Sequence, residues 1–152
     1  MCRDLASNPG VIHDVPLTLE YLETRGVPVV AIGQSDLPGF YARSSGIDAP
    51  ISVDDVSAAA QAAALHLGLG LGSAILLCVP VPADAALGED VARDAVERAI
   101  AEAEASAVHG PALTPWLLAR VAVLTEGASV RANTALIVND ARVAGQIAAD
   151  LP

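Results

Sequence analysis

Apolar positions recur along this chain with two periods, and the switching between them outlines the fold. Val15, Leu19 and Leu22 share one helical face, with Glu20 and Glu23 turned the other way. Asp14 is placed to cap that helix, Pro16 sits in the first turn where its missing N–H is harmless, and Gly26 stands where a helix stops. Val27 to Ile32 is a short, largely β-branched run that reads as a buried strand. Helix, glycine stop and strand together form a unit of α/β layers.

The chain before this unit, Met1 to Pro9, shows no period, and Asn8-Pro9-Gly10 is a turn signal. Gly33 to Pro50 carries Gly33, Pro38, Gly39, Gly46 and Pro50, and so reads as loop. The segment also holds Arg43; Phe40 is expected to pin the loop to the core, and the other reading makes the adjacent rings of Phe40 and Tyr41 a site wall. A strand is expected near Ile51, and Ser52-Val53-Asp54-Asp55 signals the start of an alanine-rich helix ending near Leu67. Gly68, Gly70 and Gly72 follow a helix and precede a strand, the reverse of a dinucleotide-binding loop, so they read as a cap and tight turn.

Ser73 to Val79 is the most apolar stretch and reads as an interior strand of a largely parallel sheet, ended by Pro80-Val81-Pro82. Asp90 to Ala107 predicts an amphipathic helix with Val91, Ala95, Ala99 and Ile100 inward and Asp94, Glu97, Glu102 and Glu104 toward water. Thr114-Pro115 starts a helix to about Leu124 with Trp116 and Leu117 inward. Ser129 opens a last helix through Asn133, Leu136, Val138 and Ile147. The pattern predicts one α/β domain over residues 1–152, part of a three-layer α/β/α fold with helices on a small, mostly parallel or mixed sheet.

Composition sharpens this. Hydrophobic residues make up 53% and charged residues 17%, with a mean hydropathy of +0.50. So narrow a sheet leaves apolar faces and strand edges uncovered, which predicts a homo-oligomer or a pairing with a further half of the fold. No run reaches the roughly 18 uncharged apolar residues of a membrane span, so no membrane is expected. A net charge of −10 without a basic stripe argues against nucleic acid. Cys2 and Cys78 lack CxxC spacing, and Arg3-Asp4 interrupts any secretion signal, so a cytoplasmic protein is expected.

Chemistry is sparse. His13-Asp14 is a fragment of a metal-site pattern, but His66 and His109 stand in unrelated contexts, so no metal site is expected. There is no nucleophile elbow. All eight basic residues are arginines, and lysine is absent. The residues alone name a fold layer and no reaction.

Asp14 to Pro28, DVPLTLEYLETRGVP, resembles the pseudouridine-5'-phosphate glycosidase family, which includes the indigoidine synthase A proteins. Leu37-Pro38-Gly39-Phe40-Tyr41 with Arg43 is similar to its connecting segment, and Thr114-Pro115-Trp116-Leu117-Leu118-Ala119-Arg120, Leu124-Thr125, Gly127, Ser129 and Ala132-Asn133 form a second matching block. The resemblance covers the C-terminal half of a typical member. It implies reversible cleavage of pseudouridine 5'-phosphate to uracil and ribose 5-phosphate through an imine-forming lysine, with a glutamate moving protons and a divalent metal, usually Mn²⁺. It implies a base contact at Asn133 and places Gly10 where the lysine belongs. The remaining groups belong to the N-terminal half. Two readings follow: a truncated or split glycosidase that is inactive alone and holds no metal, or a non-catalytic remnant acting as a homo- or hetero-association module.

Overall fold

The computed structural model describes residues 15–151, so the Asp14 cap, the Asn8-Pro9-Gly10 turn, the His13-Asp14 pair, Gly10 and Cys2 lie outside the described residues. Three strands form one parallel sheet: β1 (Val29–Ile32), β2 (Ile51–Val53) and β3 (Leu76–Cys78), in the order β2-β1-β3. Val30 pairs with Ile51 on one side and Leu77 on the other. All of β1 is buried, as the central strand must be.

The first helix, α1 (Val15–Thr24), ends as the sequence foretells. Gly26 adopts φ +65°, which lets its N–H donate to the Glu23 carbonyl at 2.9 Å while Val27 N–H donates to the Leu22 carbonyl at 2.9 Å. Val15, Leu19 and Leu22 are only half-buried, and Leu17 and Tyr21 are exposed. The helix α2 (Val56–Gly68) is capped by Asp55, whose carboxylate accepts from Ala58 N–H at 2.9 Å.

After β3 come α3 (Glu89–Ala105), a 3₁₀ turn (Gly110–Ala112), α4 (Leu113–Leu124) and α5 (Ala128–Asp150). The 3₁₀ turn, rather than Thr114, leads into α4, so Pro115 falls at the third helical position, where no intrahelical N–H bond is lost. Helices α4 and α5 meet at a bend of 119°, turned by Glu126 and Gly127, which both take positive φ. Thr125 binds both sides of this corner, its hydroxyl donating to the Val121 carbonyl at 2.8 Å and accepting from Ser129 N–H at 3.1 Å.

Two apolar clusters hold the elements. One joins the sheet to α2 and α5: Ile32, Ala59, Ala60, Val143 and Ile147, with Val53, Leu77 and Val79 against them. The other joins α3, α4 and the start of α5 through Ala95, Ala99, Ala103, Leu117, Val121 and Ala132, with Tyr41 and Val81 included. The expected α/β layering is present, and the sheet is parallel throughout.

Three local expectations change. The Ser73–Val79 run yields an edge strand, not an interior one, and Leu76 at its start is 42% exposed. Apolarity records a preference for burial and not a strand's place in the sheet: none of Leu76, Leu77 and Cys78 is fully buried, whereas all of β1 is. Tyr41, 6% exposed, pins the long loop, while Phe40 is 53% exposed and packs edge-on against its ring. On α3 the inward stripe is Ala92, Ala95, Ala99 and Ala103, which leaves Val91 on the water-facing rim; Ile100 is partly buried as expected.

Candidate functional site

In open parallel sheets ligands sit beyond the carboxyl ends of the strands, where neighbouring connections diverge. Here β1 leads to one side through the loop of residues 33–50, and β3 is reached by a crossover from β2 on the opposite side of β1. The carboxyl ends of β1 and β3 are therefore where a site belongs.

Side chains from three distant segments meet there. The Gln34 amide, just past β1, donates to the Asp36 and Arg43 carbonyls, each at 3.0 Å, and folds the loop back on itself. The Arg43 guanidinium donates to the Val81 carbonyl at 3.2 Å, and Leu87 N–H donates to the Tyr41 carbonyl at 2.9 Å. From α5, the Asn139 amide donates to the Pro80 carbonyl at 3.2 Å. The exit of β3 is thus gripped by the loop on one side and by α5 on the other.

Asn133 is placed by the same grip. Val143 and Ile147 cluster with Ile32, at the end of β1, and with Ala59 and Ala60 of α2, and Asn139 reaches Pro80 past the end of β3, so this part of α5 lies at the carboxyl ends of the strands. Asn133 is six residues before Asn139, about 9 Å farther along the axis at 1.5 Å per residue. Its neighbour Ala132 is buried in one cluster with Tyr41 and Val81, which follow β1 and β3, and this sets Asn133 beyond the carboxyl ends of those strands. It is half-buried, and no hydrogen bond from another described residue reaches its amide.

Two clefts border the sheet. One, of about 260 Å³, lies at the carboxyl ends of β1 and β2 and is lined by Gly33, Gln34, Ser35, Ser52, Val53 and Asp54. The other, of about 340 Å³, lies at the opposite end between α1 and the strand starts, with Leu19, Val27, Val29, Pro50 and Ile51 in its wall. Asn133, Thr114 and Pro115 line neither.

Two sets of titratable groups tie elements together. His66 is 8% exposed, its Nε2 3.1 Å from the Ser73 carbonyl and 3.2 Å from the Ser73 hydroxyl, and this holds the glycine-rich turn before β3. Arg120 grips Glu102 with two nitrogens, which holds the Glu102 carboxyl below its ordinary range, and so ties α4 to α3. Burial raises the Tyr41 hydroxyl, the Cys78 thiol and the Asp140 carboxyl. Among the described residues no three His, Cys, Asp or Glu side chains converge as a metal site. The sequence singled out Asn133 and Arg43 but gave Asn139 no role, since its partner lies 59 positions away.

Known proteins resemble this chain in sequence and in fold. A family model described as "Indigoidine synthase A like protein" matches residues 6–150. A pseudouridine-5'-phosphate glycosidase of Paracoccus denitrificans is 45% identical over 145 residues, covering 95% of this chain and 48% of that protein. The same-named protein of Herpetosiphon aurantiacus is 48% identical over 140 residues, covering 92% and 46%. The chain spans about half the length of the curated relatives it matches, their C-terminal half. Among solved structures, the prealnumycin C-glycosynthase AlnA in complex with ribulose 5-phosphate superposes with a TM-score of 0.80 at 33% identity, covering 91% of this chain and 45% of that one. An indigoidine synthase A-like protein from Thermotoga maritima gives 0.75 at 29% identity, covering 89% and 44%.

Proposed function

The chain belongs to the indigoidine synthase A-like family, and from that premise we propose that it forms the nucleobase-binding half of a pseudouridine-5'-phosphate glycosidase site and cleaves nothing by itself. The observation that carries the reading is Asn133, a half-buried amide left unengaged beyond the carboxyl ends of the strands, on the helix fixed there by Asn139. An amide has both a donor and an acceptor to offer, which suits the paired N–H and C=O edge of uracil.

Breaking the carbon–carbon bond through an imine needs an amine that can be deprotonated. Arginine stays protonated at any pH a protein tolerates and cannot serve. The chain has no lysine, and Gly10, inside the matched region, takes the place the resemblance assigns to it. We place the protein in the cytoplasm, with any Mn²⁺ held by groups outside this chain. Among the described residues no single helix is long and apolar enough to cross a membrane.

The test pairs an assay with a titration. Purified chain incubated with pseudouridine 5'-phosphate, with and without Mn²⁺, is expected to release no uracil, and Gly10→Lys alone is expected not to restore release. Uracil titrated into ¹⁵N-labelled chain is expected to move the Asn133 side-chain amide signals. Uracil release above background by the unmodified chain overturns the inert half of the reading, and unmoved Asn133 signals at millimolar uracil overturn the binding half.

A further inference from the structure

The two edges of the sheet are built differently. The edge strand β2 is blunted, with Pro50 before it and Asp54-Asp55 after it. The edge strand β3 carries no such device, since Val56 to Ala83 contains no Asp, Glu, Lys or Arg. Leu76 N–H donates inward to the Pro28 carbonyl at 2.9 Å. Successive residues of a parallel strand face alternate neighbours, so Leu77 turns its N–H and C=O away from β1. Among the described residues no strand lies on that side.

We propose that this edge takes one further parallel strand, from the half of the relatives' length that this chain does not span. The inference deepens the reading of the chain as half of a site and rests on it. The relatives are about twice as long, and the family match begins at residue 6, so in them that half leads into α1 from about ten residues ahead of it.

The hand of the crossovers selects both the edge and its occupant. Parallel strands joined through a helix are linked right-handedly in about 98% of cases. The β2–α2–β3 crossover runs from the β2 edge to the β3 edge, with α2 on the sheet face that carries Ile32. Helix α1 adds nothing to that cluster. Its Leu19 and Glu23 border a cleft with Val29, which is three residues from Ile32 and so on the opposite face. Crossovers of one hand on opposite faces run in opposite directions across a sheet. A strand that enters β1 through α1 therefore comes from the β3 side. Because β3 already adjoins β1, that strand lies beyond β3. A second copy meets neither condition: across a two-fold axis its β3 would pair antiparallel, and no helix would link it to β1. Running parallel to β3, the added strand ends beside Pro80, at the same end of the sheet as Asn133.

Hydrogen exchange tests it, on the intact chain alone and co-expressed with a tagged N-terminal half of the Paracoccus denitrificans relative. The two are expected to co-purify. The Leu77 amide should exchange at least about a hundredfold more slowly in the complex than in the chain alone. On β2, Gly33 N–H donates to the Val53 carbonyl, so the Ser52 amide faces outward and should keep its rate. Leu77→Pro removes an outward N–H and no bond to β1, and should lower recovery of the complex at least about tenfold; Ser52→Pro should not. Far-UV circular dichroism checks that each variant keeps its helices, and a Leu77→Pro chain that loses them is replaced by Ile75→Pro, on the same side of the strand. Failure of the chain to co-purify overturns the proposal. So does protection at Ser52 in place of Leu77, or a folded Leu77→Pro chain captured like the parent. Leu77 protection that rises with concentration in the chain alone also overturns it, by putting a second copy on the edge. A protected Leu77 beside Asn133 signals that uracil leaves unmoved would uphold the strand and overturn the base-binding reading alone.

Discussion

The Asn139 side-chain amide donates to the Pro80 carbonyl across 3.2 Å, joining the middle of α5 to the exit of β3. Its oxygen accepts from Arg142 at 2.8 Å, and Arg142 in turn donates to Gln146 at 3.2 Å. Asn139 is thus oriented from its own helix while it holds another element.

Asn139 and Asn133 should therefore respond differently to the same change. Asn139→Ala leaves the Pro80 carbonyl without its partner, and a loss of about 1 kcal/mol is expected in urea unfolding. Asn133→Ala removes no hydrogen bond to a described residue and should change stability by less than about 0.5 kcal/mol. Equal losses at the two positions would contradict the division of roles.

The neighbouring aromatics make a second contrast. Tyr41 is buried at 6% exposure, so Tyr41→Ala should cost about 3–5 kcal/mol, as large aromatic truncations do. Phe40 is 53% exposed, and Phe40→Ala should cost about 1 kcal/mol, the value of an edge-on ring contact. Thermal unfolding of the two variants orders them.

The ion pair between α3 and α4 gives a pH dependence. Arg120 lowers the Glu102 pKa below its ordinary 4.5 in the folded chain, so the folded state binds fewer protons there than the unfolded state. That contribution is present above pH 4.5 and is lost as the pH falls through the lowered folded value. Glu102→Gln should remove it. The stability difference between parent and variant, followed by urea unfolding from pH 6 down to about 3, should shrink toward acid. A difference that grows toward acid would reverse the sign. Both side chains are about a third exposed, at 32% and 37%, so the effect is modest.

Cys78 supplies a kinetic test. Its thiol is half-buried in β3 and its pKa is raised by that burial, so little thiolate forms near neutral pH. In a Cys2→Ser chain, alkylation of Cys78 by iodoacetamide at pH 7.5 should be at least about tenfold slower than in the urea-unfolded chain. Equal rates would place Cys78 outside the sheet.

What the sequence determined by itself was local. The Gly26 stop, the Asp55 cap, the β1 run and the inward Leu117 follow from steric and hydrogen-bonding rules that act within a few residues, and each is found where those rules put it. The family was legible for the same reason, since DVPLTLEYLETRGVP is a contiguous string. The tertiary structure decided what depends on distant partners. Whether Phe40 or Tyr41 faces the core turns on where Val81 and α3 lie, and no pattern in five loop residues encodes that. Whether β3 is central or at an edge depends on how many strands flank it, and an apolar run records only a preference for burial. Asn139 acquires its task from a carbonyl 59 positions earlier, and that grip in turn sets Asn133 beyond the carboxyl end of the sheet. Periodicity reports the face a residue shows; only packing of the whole chain fixes what that face meets.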